Sequence, residues 1–319
     1  MALSPSFIHH CAVALSTGIT ALGVSIGQGI TTKAAFDAID RQPTAATDIS
    51  RATLLSLAIV ETGAILGLLI SFLLFFQPVD ELHKAIAQFG MALATALPGL
   101  VIGIAAALPA KEALISIARQ PFLGKKIMNF MLLTQSLIQT PMIFGFIIAL
   151  IIRTHINTIT TVAQGFILVA SGISIGIGCI GPAIGVGHFA KTACRNVGVN
   201  RAAYNKLFTF TFISQALIET PVIFAAIISF FLTNKATAPL SNPLLGAAHI
   251  FFAVTIGLGT LGAGISSGKS AAAACNQIAL NPQSYNMLAR SSMMAQGLID
   301  TCAVYAFIIA LWLILLPLS

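Results

Sequence analysis

Eight apolar stretches dominate the sequence, at roughly 7–32, 52–76, 85–110, 127–152, 157–187, 207–233, 244–268 and 287–317. Each is long enough for an α-helix to cross the hydrocarbon of a bilayer, which takes about 20 residues. Composition excludes a soluble domain: 57% of the 319 residues are apolar and only 8% are charged, against roughly a quarter charged in soluble proteins. Backbone amides and carbonyls find no partner in lipid, so each stretch must satisfy its own as a helix. The connections are short, which makes consecutive helices antiparallel neighbours. The expected fold is an all-α membrane protein of eight transmembrane helices, arranged as four tandem helical hairpins over 1–78, 79–155, 156–235 and 236–319.

Charge placement gives the orientation. Thirteen of the sixteen Lys and Arg lie in or beside the loop within a hairpin, from Lys33 and Arg41 to Lys269 and Arg290; only Lys84, Arg153 and Lys235 occupy linkers between hairpins. Positive residues favour the cytoplasmic side, so the hairpin loops are expected there, with both termini and the linkers opposite. The start, MALSPSFIHHCAVAL, lacks the charged segment of a cleaved signal peptide and is taken as the beginning of the first helix. The net charge of +7 then reflects topology and lipid contact, and calls for no nucleic acid. Five cysteines and six histidines show no metal or redox spacing, so neither metal nor cofactor is expected.

The second stretch of each hairpin repeats: LAIVETGAILGLLISF (57–72), SLIQTPMIFGFIIAL (136–150), ALIETPVIFAAIISF (216–230) and GLIDTCAVYAFIIAL (297–311). Alignment matches Glu61, Gln139, Glu219 and Asp300, separated by 78, 80 and 81 residues, each followed by Thr62, Thr140, Thr220 or Thr301. The first stretches share small size, with Gly23, Gly27 and Gly29 in the first hairpin, Gly181 and Gly185 in the third, and Gly264 and Gly268 in the fourth. The second hairpin uses Gly99, Gly103 and Ala105 to Ala107 instead. Small residues at four-residue spacing let helix backbones approach closely in a membrane. First helices should therefore crowd together, with the bulkier second helices outside them.

Glu61, Glu219 and Asp300 are each the only charge in the aligned apolar stretches 57–72, 216–230 and 297–311. Such a side chain costs roughly 2.5 to 3.5 kcal/mol on insertion scales. A protonated carboxyl bonded to a neighbouring helix is the structural explanation, but recurrence at three of four repeat positions favours a functional one. Hydrocarbon disfavours charge, so facing lipid the carboxyl holds a proton or a bound cation. In water, or beside a fixed positive charge, it releases that ion. No second carboxylate or histidine lies within a turn to make an acid–base pair. The position suits a carrier, and Gln139 is its degenerate copy.

The neighbours bear on the ion. Gln135, Gln215 and Gln296 lie four residues earlier on the same helical face. Leu57 replaces this glutamine in the first hairpin, where Gln28 on the partner helix can compensate. Thr62, Thr220 and Thr301 offer hydroxyls, while Pro141 and Pro221 free the carbonyls of Leu137 and Leu217. These oxygens suit a protonated carboxyl or Na⁺. Because they differ between repeats, and Na⁺ needs a full cage at each site, H⁺ is favoured and Na⁺ stays as the alternative.

Arg41-Gln42-Pro43 stands 20 residues before Glu61, and Arg119-Gln120-Pro121 stands 20 before Gln139. With a glycine-rich first helix, this loop and a mid-membrane carboxylate in register, each hairpin resembles the c subunit (proteolipid) of F-type ATP synthases. The first is nearest, from GVSIGQG (23–29) through DRQP (40–43) to AIVETGAILGLLISFLLFF (58–76). The fourth departs with Leu280-Asn281-Pro282, and the third with CRNVGVN (194–200), taken as a longer loop. Fusion of hairpins and loss of one carboxylate are similar to V-type proteolipids.

The resemblance implies a rotor ring of several copies, first helices inside, with Glu61, Glu219 and Asp300 carrying ions past a stator a-like subunit that holds an essential Arg. It implies central-stalk contacts through Arg41, Gln42, Pro43, Arg119, Gln120 and Pro121. ATP chemistry would reside on other subunits, making this chain a non-catalytic membrane-sector component of a bacterial inner membrane or a bioenergetic organelle membrane. The competing function is a stand-alone transporter or channel enclosing its own pathway. Such proteins typically show inverted repeats or broken helices at the site, whereas these four repeats are parallel, which favours the rotor.

Overall fold

The computed structural model describes residues 4–238, 240 and 242–316. The helices in chain order are α1 (Pro5–Arg41), α2 (Ala46–Phe75), α3 (Leu82–Arg119), α4 (Gly124–Ile138), α5 (Thr140–His155), α6 (Val162–Gly178), α7 (Ile180–Val199), α8 (Tyr204–Lys235), α9 (Pro243–Leu280) and α10 (Tyr285–Leu315). Grouped by span they make eight helices long and apolar enough to cross a membrane. The chain is an integral, multi-pass membrane protein.

The helices run well past the apolar stretches. At 37 or 38 residues, α1, α3 and α9 are about 55 Å long at 1.5 Å per residue, against about 30 Å of hydrocarbon. They project from the bilayer on the loop side, and the basic residues cluster on that projection. The segments between the two apolar stretches of a hairpin are therefore mostly helix. Each turn is one residue with an extended φ, Gln42, Gln120, Asn200 or Asn281, with φ of −142°, −135°, −132° and −132°. A single 3₁₀ turn follows, Pro43–Ala45, Pro121–Leu123, Arg201–Ala203 or Pro282–Ser284.

This corrects the expectation for the third hairpin. CRNVGVN contains the last turns of α7, and the chain reverses at Asn200, 19 residues before Glu219, as Gln42 stands 19 before Glu61. No longer loop exists there. Asn200 and Asn281 replace the glutamines and cap their own turns, each Oδ1 accepting from the amide of Ala202 at 2.9 Å or Gln283 at 3.2 Å.

Helices α1, α3, α6–α7 and α9 pack along one another in a row. Glycine makes this possible: a Cβ on Gly27 would overlap the carbonyl of Gly103, one on Gly103 would lie 2.6 Å from the carbonyl carbon of Gly23, and one on Gly185 would overlap the carbonyl of Gly264. Backbone meets backbone, and a methyl has nowhere to go. The second helices lie along one side of this row. On the opposite side, near the linkers, Phe7, Phe89, Phe166 and Ile250 from all four hairpins line one hollow of about 620 Å³.

Two helices are interrupted. α4 gives way to α5 at Gln139, two residues before Pro141, and α6 gives way to α7 at Cys179, three before Pro182. Each proline lacks the amide that would have closed the ladder there. The breaks face one another, since the Cys179 thiol donates to the Pro141 carbonyl at 3.5 Å.

Candidate functional site

Three of the four repeat positions, Gln139, Glu219 and Asp300, lie where consecutive second helices meet. Gln139 on the α4–α5 junction shares a groove of about 470 Å³ with Ile59, Thr62 and Leu66 of α2. Glu219 on α8 shares one of about 220 Å³ with Thr140, Pro141 and Phe144 of α5. Asp300 on α10 is 8% exposed, Gln139 is 9% exposed, and Glu219 is partly buried. Glu61 alone is exposed. The pattern has a direction: each position is covered by the second helix of the preceding hairpin, and Glu61 has no preceding hairpin within the chain.

Glutamines staple these interfaces. Gln135 Nε2 donates to Ser56 Oγ and to the Ala106 carbonyl, both at 2.8 Å. Gln215 Nε2 reaches the Thr134 carbonyl at 3.3 Å. Gln296 Nε2 reaches Ser214 Oγ at 3.4 Å and Ser292 Oγ at 3.1 Å. In each case the glutamine four residues before the repeat position bonds the residue five before that position in the preceding hairpin. Gln139 adds a further bond of this kind, from its Nε2 to the Ile59 carbonyl at 3.1 Å.

With the amide nitrogens committed, their oxygens are left over. The Oε1 atoms of Gln135, Gln215 and Gln296 are buried without a partner among the described residues, and so are Gln139 Oε1, Glu219 Oε1 and Asp300 Oδ1. Each of the last three hairpins therefore holds two orphaned oxygens one helical turn apart on one face. A buried polar atom without a partner is costly. A protonated carboxyl provides one O–H donor, and a cation would serve the same oxygens.

The other sequence-derived residues fall as follows. Thr62, Thr220 and Thr301 donate to their own helix, to the carbonyls of Ile59 at 2.7 Å, Ala216 at 3.2 Å and Leu298 at 2.7 Å. Their hydrogens are therefore not offered to a carboxylate, which differs from the expectation, although their lone pairs remain. Gln28 is partly buried and makes no side-chain hydrogen bond among the described residues. Its counterpart in the second hairpin is Ala106, the residue whose carbonyl takes Gln135. In the loops, Arg41, Pro43 and Arg119 are exposed, Gln42 and Pro121 partly so. Gln120 Nε2 donates to the Gly198 carbonyl of the next hairpin at 2.7 Å, and Asn200 Nδ2 repeats this toward Ala279 at 2.7 Å. Sequence reasoning missed Ser56, Thr134 and Ser214. Their small hydroxyl side chains recur at one repeat position, and that recurrence was the available signal.

The family model for the ATP synthase c subunit matches four times in tandem, at residues 11–74, 89–152, 169–232 and 250–313. The ATP synthase c subunit of Campylobacter fetus subsp. fetus is 37% identical over 83 residues, 26% of this chain and 77% of the relative. That of Chloroflexus aurantiacus is 35% identical over 69 residues, 22% of this chain and 91% of the relative. The ATP synthase c subunit 2 of Cereibacter sphaeroides is 46% identical over 63 residues, 20% of this chain and 76% of the relative. Each relative corresponds to about one hairpin.

Proposed function

The chain belongs to the family of ATP synthase c subunits, with four units in one polypeptide, and from that premise we propose that it is a rotor-ring chain in which Glu61, Glu219 and Asp300 each carry one H⁺ and Gln139 carries none. The carrying observation is the repeat position itself: a carboxylate recurs there in three hairpins, and in two of them, at Glu219 and Asp300, it lies between adjacent second helices beside an unpartnered glutamine oxygen. Covered by its neighbour and by lipid, the carboxyl is neutral and its proton serves the oxygens around it. Opposite the essential Arg of an a-like stator subunit, with water at hand, the carboxylate is the favoured form and the proton leaves. Net passage of protons turns the ring, and ATP is made or hydrolysed on other subunits. Na⁺ is the alternative cargo.

Ring closure has support in the two ends of the chain. The stapling glutamine is present in hairpins two, three and four, and its hydroxyl-bearing counterpart in hairpins one, two and three. At the outer edges stand Leu57 and Ala295, an apolar residue at each of the two positions. In a ring these edges meet, with neither side left holding an unpaired amide. The same meeting covers Glu61, with α10 of a second copy standing where a preceding hairpin would stand.

The loops would face the cytoplasmic side and the central stalk, with Arg41 and Arg119 exposed for contact and the fully exposed ring of Phe122 beside them. One silent position in four lowers the ions moved per ATP by a quarter, which suits ATP-driven pumping or synthesis under a steep gradient. Purification in mild detergent tests the assembly. A closed ring of several copies is expected, and a monomeric chain that transports ions by itself would favour the stand-alone transporter.

A further inference from the structure

On the loop side, the exposed faces of α7 and α9 enclose a cavity of about 380 Å³ lined by His188, Lys191, Arg195, Lys269 and Asn276. Lys191, Arg195 and Lys269 converge on it, and none forms an ion pair with a described residue. Asn196 Nδ2 donates to Asn276 Oδ1 at 2.9 Å, which leaves the Asn276 amide hydrogens as donors. The groove therefore offers positive charge and hydrogen-bond donors without an acidic side chain to balance them.

The matching groove between α1 and α3 is different. It is smaller, about 230 Å³, and its Lys33 and Lys111 are accompanied by Asp37. Topology needs positive residues on the loop side, but it does not need three of them aimed at one cavity. Arginine's fork matches phosphate oxygens in pairs, and lysine adds point charge.

We propose that the α7–α9 groove binds an anionic phosphate group, borne by a phospholipid headgroup or by a soluble phosphate compound. Depth bears on the source. The apolar stretches end at 187 and 268, directly before His188 and Lys269. Toward the membrane, Ile184 and Leu258 are 40% and 62% exposed, two and three helical turns from Lys191 and Lys269, and Gly262 faces open space. An acyl chain can follow that path while its headgroup enters the groove. The groove lies within one chain, so the inference stands whether or not a ring forms.

Native mass spectrometry of the detergent-purified protein tests it, with phosphatidylglycerol, phosphatidylcholine and pyrophosphate as probes. Wild type should retain phosphatidylglycerol over phosphatidylcholine by at least about tenfold, and the triple variant Lys191→Gln, Arg195→Gln, Lys269→Gln should lose that preference. Displacement of the lipid by pyrophosphate would identify a site open to soluble phosphates, and retention against it a lipid site. Asp37→Asn provides a gain-of-binding arm that needs no loss of fold, since unbalancing Lys33 and Lys111 should add a second phosphatidylglycerol per chain. Equal binding of phosphatidylglycerol and of pyrophosphate by wild type and the triple variant, or no added lipid on Asp37→Asn, would overturn the proposal.

Discussion

The side-chain amide of Gln139 donates to the backbone carbonyl of Ile59 at 3.1 Å, bridging the second helices of hairpins one and two. The repeat position that lacks a carboxylate is thus a fixed link between hairpins. An amide cannot lose its hydrogen at any working pH, so this link persists wherever the ring stands. In shape and charge Gln139 matches a protonated glutamic acid that cannot ionise.

Gln139→Glu should convert the link into a fourth carrier. A protonated carboxyl can still donate to Ile59, but an ionised one cannot, so the substitution should cost about 0.5 to 1.5 kcal/mol only where the new group is charged. Ion-to-ATP stoichiometry should rise by a third, as measured by ATP-driven ion uptake in reconstituted vesicles. An unchanged ratio with a newly reactive carboxyl would contradict the assignment of a silent position.

Gln135→Leu should loosen the first inter-hairpin interface, because one side chain holds both Ser56 and Ala106 at 2.8 Å. The expected loss is about 1 to 3 kcal/mol, read by thermal unfolding in detergent. Ser56→Ala should cost less and should be nearly without further effect in the Gln135→Leu background, since both changes remove the same bond.

Gly27 and Gly29 should separate by environment rather than by residue type. A methyl at Gly27 meets the Gly103 carbonyl, whereas one at Gly29 meets nothing within 4 Å. Gly27→Ala should destabilise by about 1 to 3 kcal/mol. Gly29→Ala should be neutral or stabilising by up to about 1 kcal/mol from helix propensity.

At the linker, Lys84 Nζ lies 2.9 Å from Glu81 and His83 Nε2 lies 3.0 Å from it. The hydrogen bond from Lys84 holds the Glu81 carboxyl below the ordinary carboxylate range. Its folded-state value is depressed, so its small, solvent-screened stabilisation is present above the ordinary range and lost as pH falls through the lowered value. Lys84→Gln should return the Glu81 titration, followed by carboxyl NMR, toward the ordinary range.

Much of this is legible in the sequence because the repeat acts as its own control. Glu61, Glu219 and Asp300 recur in register, and the small residues of the first helices foretell which helices crowd. The third turn is easily misplaced because the basic pair Arg195 and Arg201 offers two counterparts to Arg41. Asn200 and Asn281, 81 residues apart like Glu219 and Asp300, mark it correctly. The staples are hidden for a different reason. Ile59 and Ala106 participate through backbone carbonyls, which every residue possesses, so no letter of the sequence distinguishes them. Nor can the sequence say that Gln139, Glu219 and Asp300 are covered by the hairpin before each of them, since that depends on how the hairpins are set side by side.

The most direct test is short exposure of the assembled, ATP-hydrolysing complex to dicyclohexylcarbodiimide, which modifies protonated carboxyls in lipid, followed by peptide mapping and an ion-pumping assay. Adducts are predicted at Glu61, Glu219 and Asp300 and not on the Gln139 peptide, with pumping lost as they form and with Na⁺ giving no protection. Adducts absent from all three carboxylates, or pumping undiminished once they are modified, would contradict the assignment of these residues as carriers.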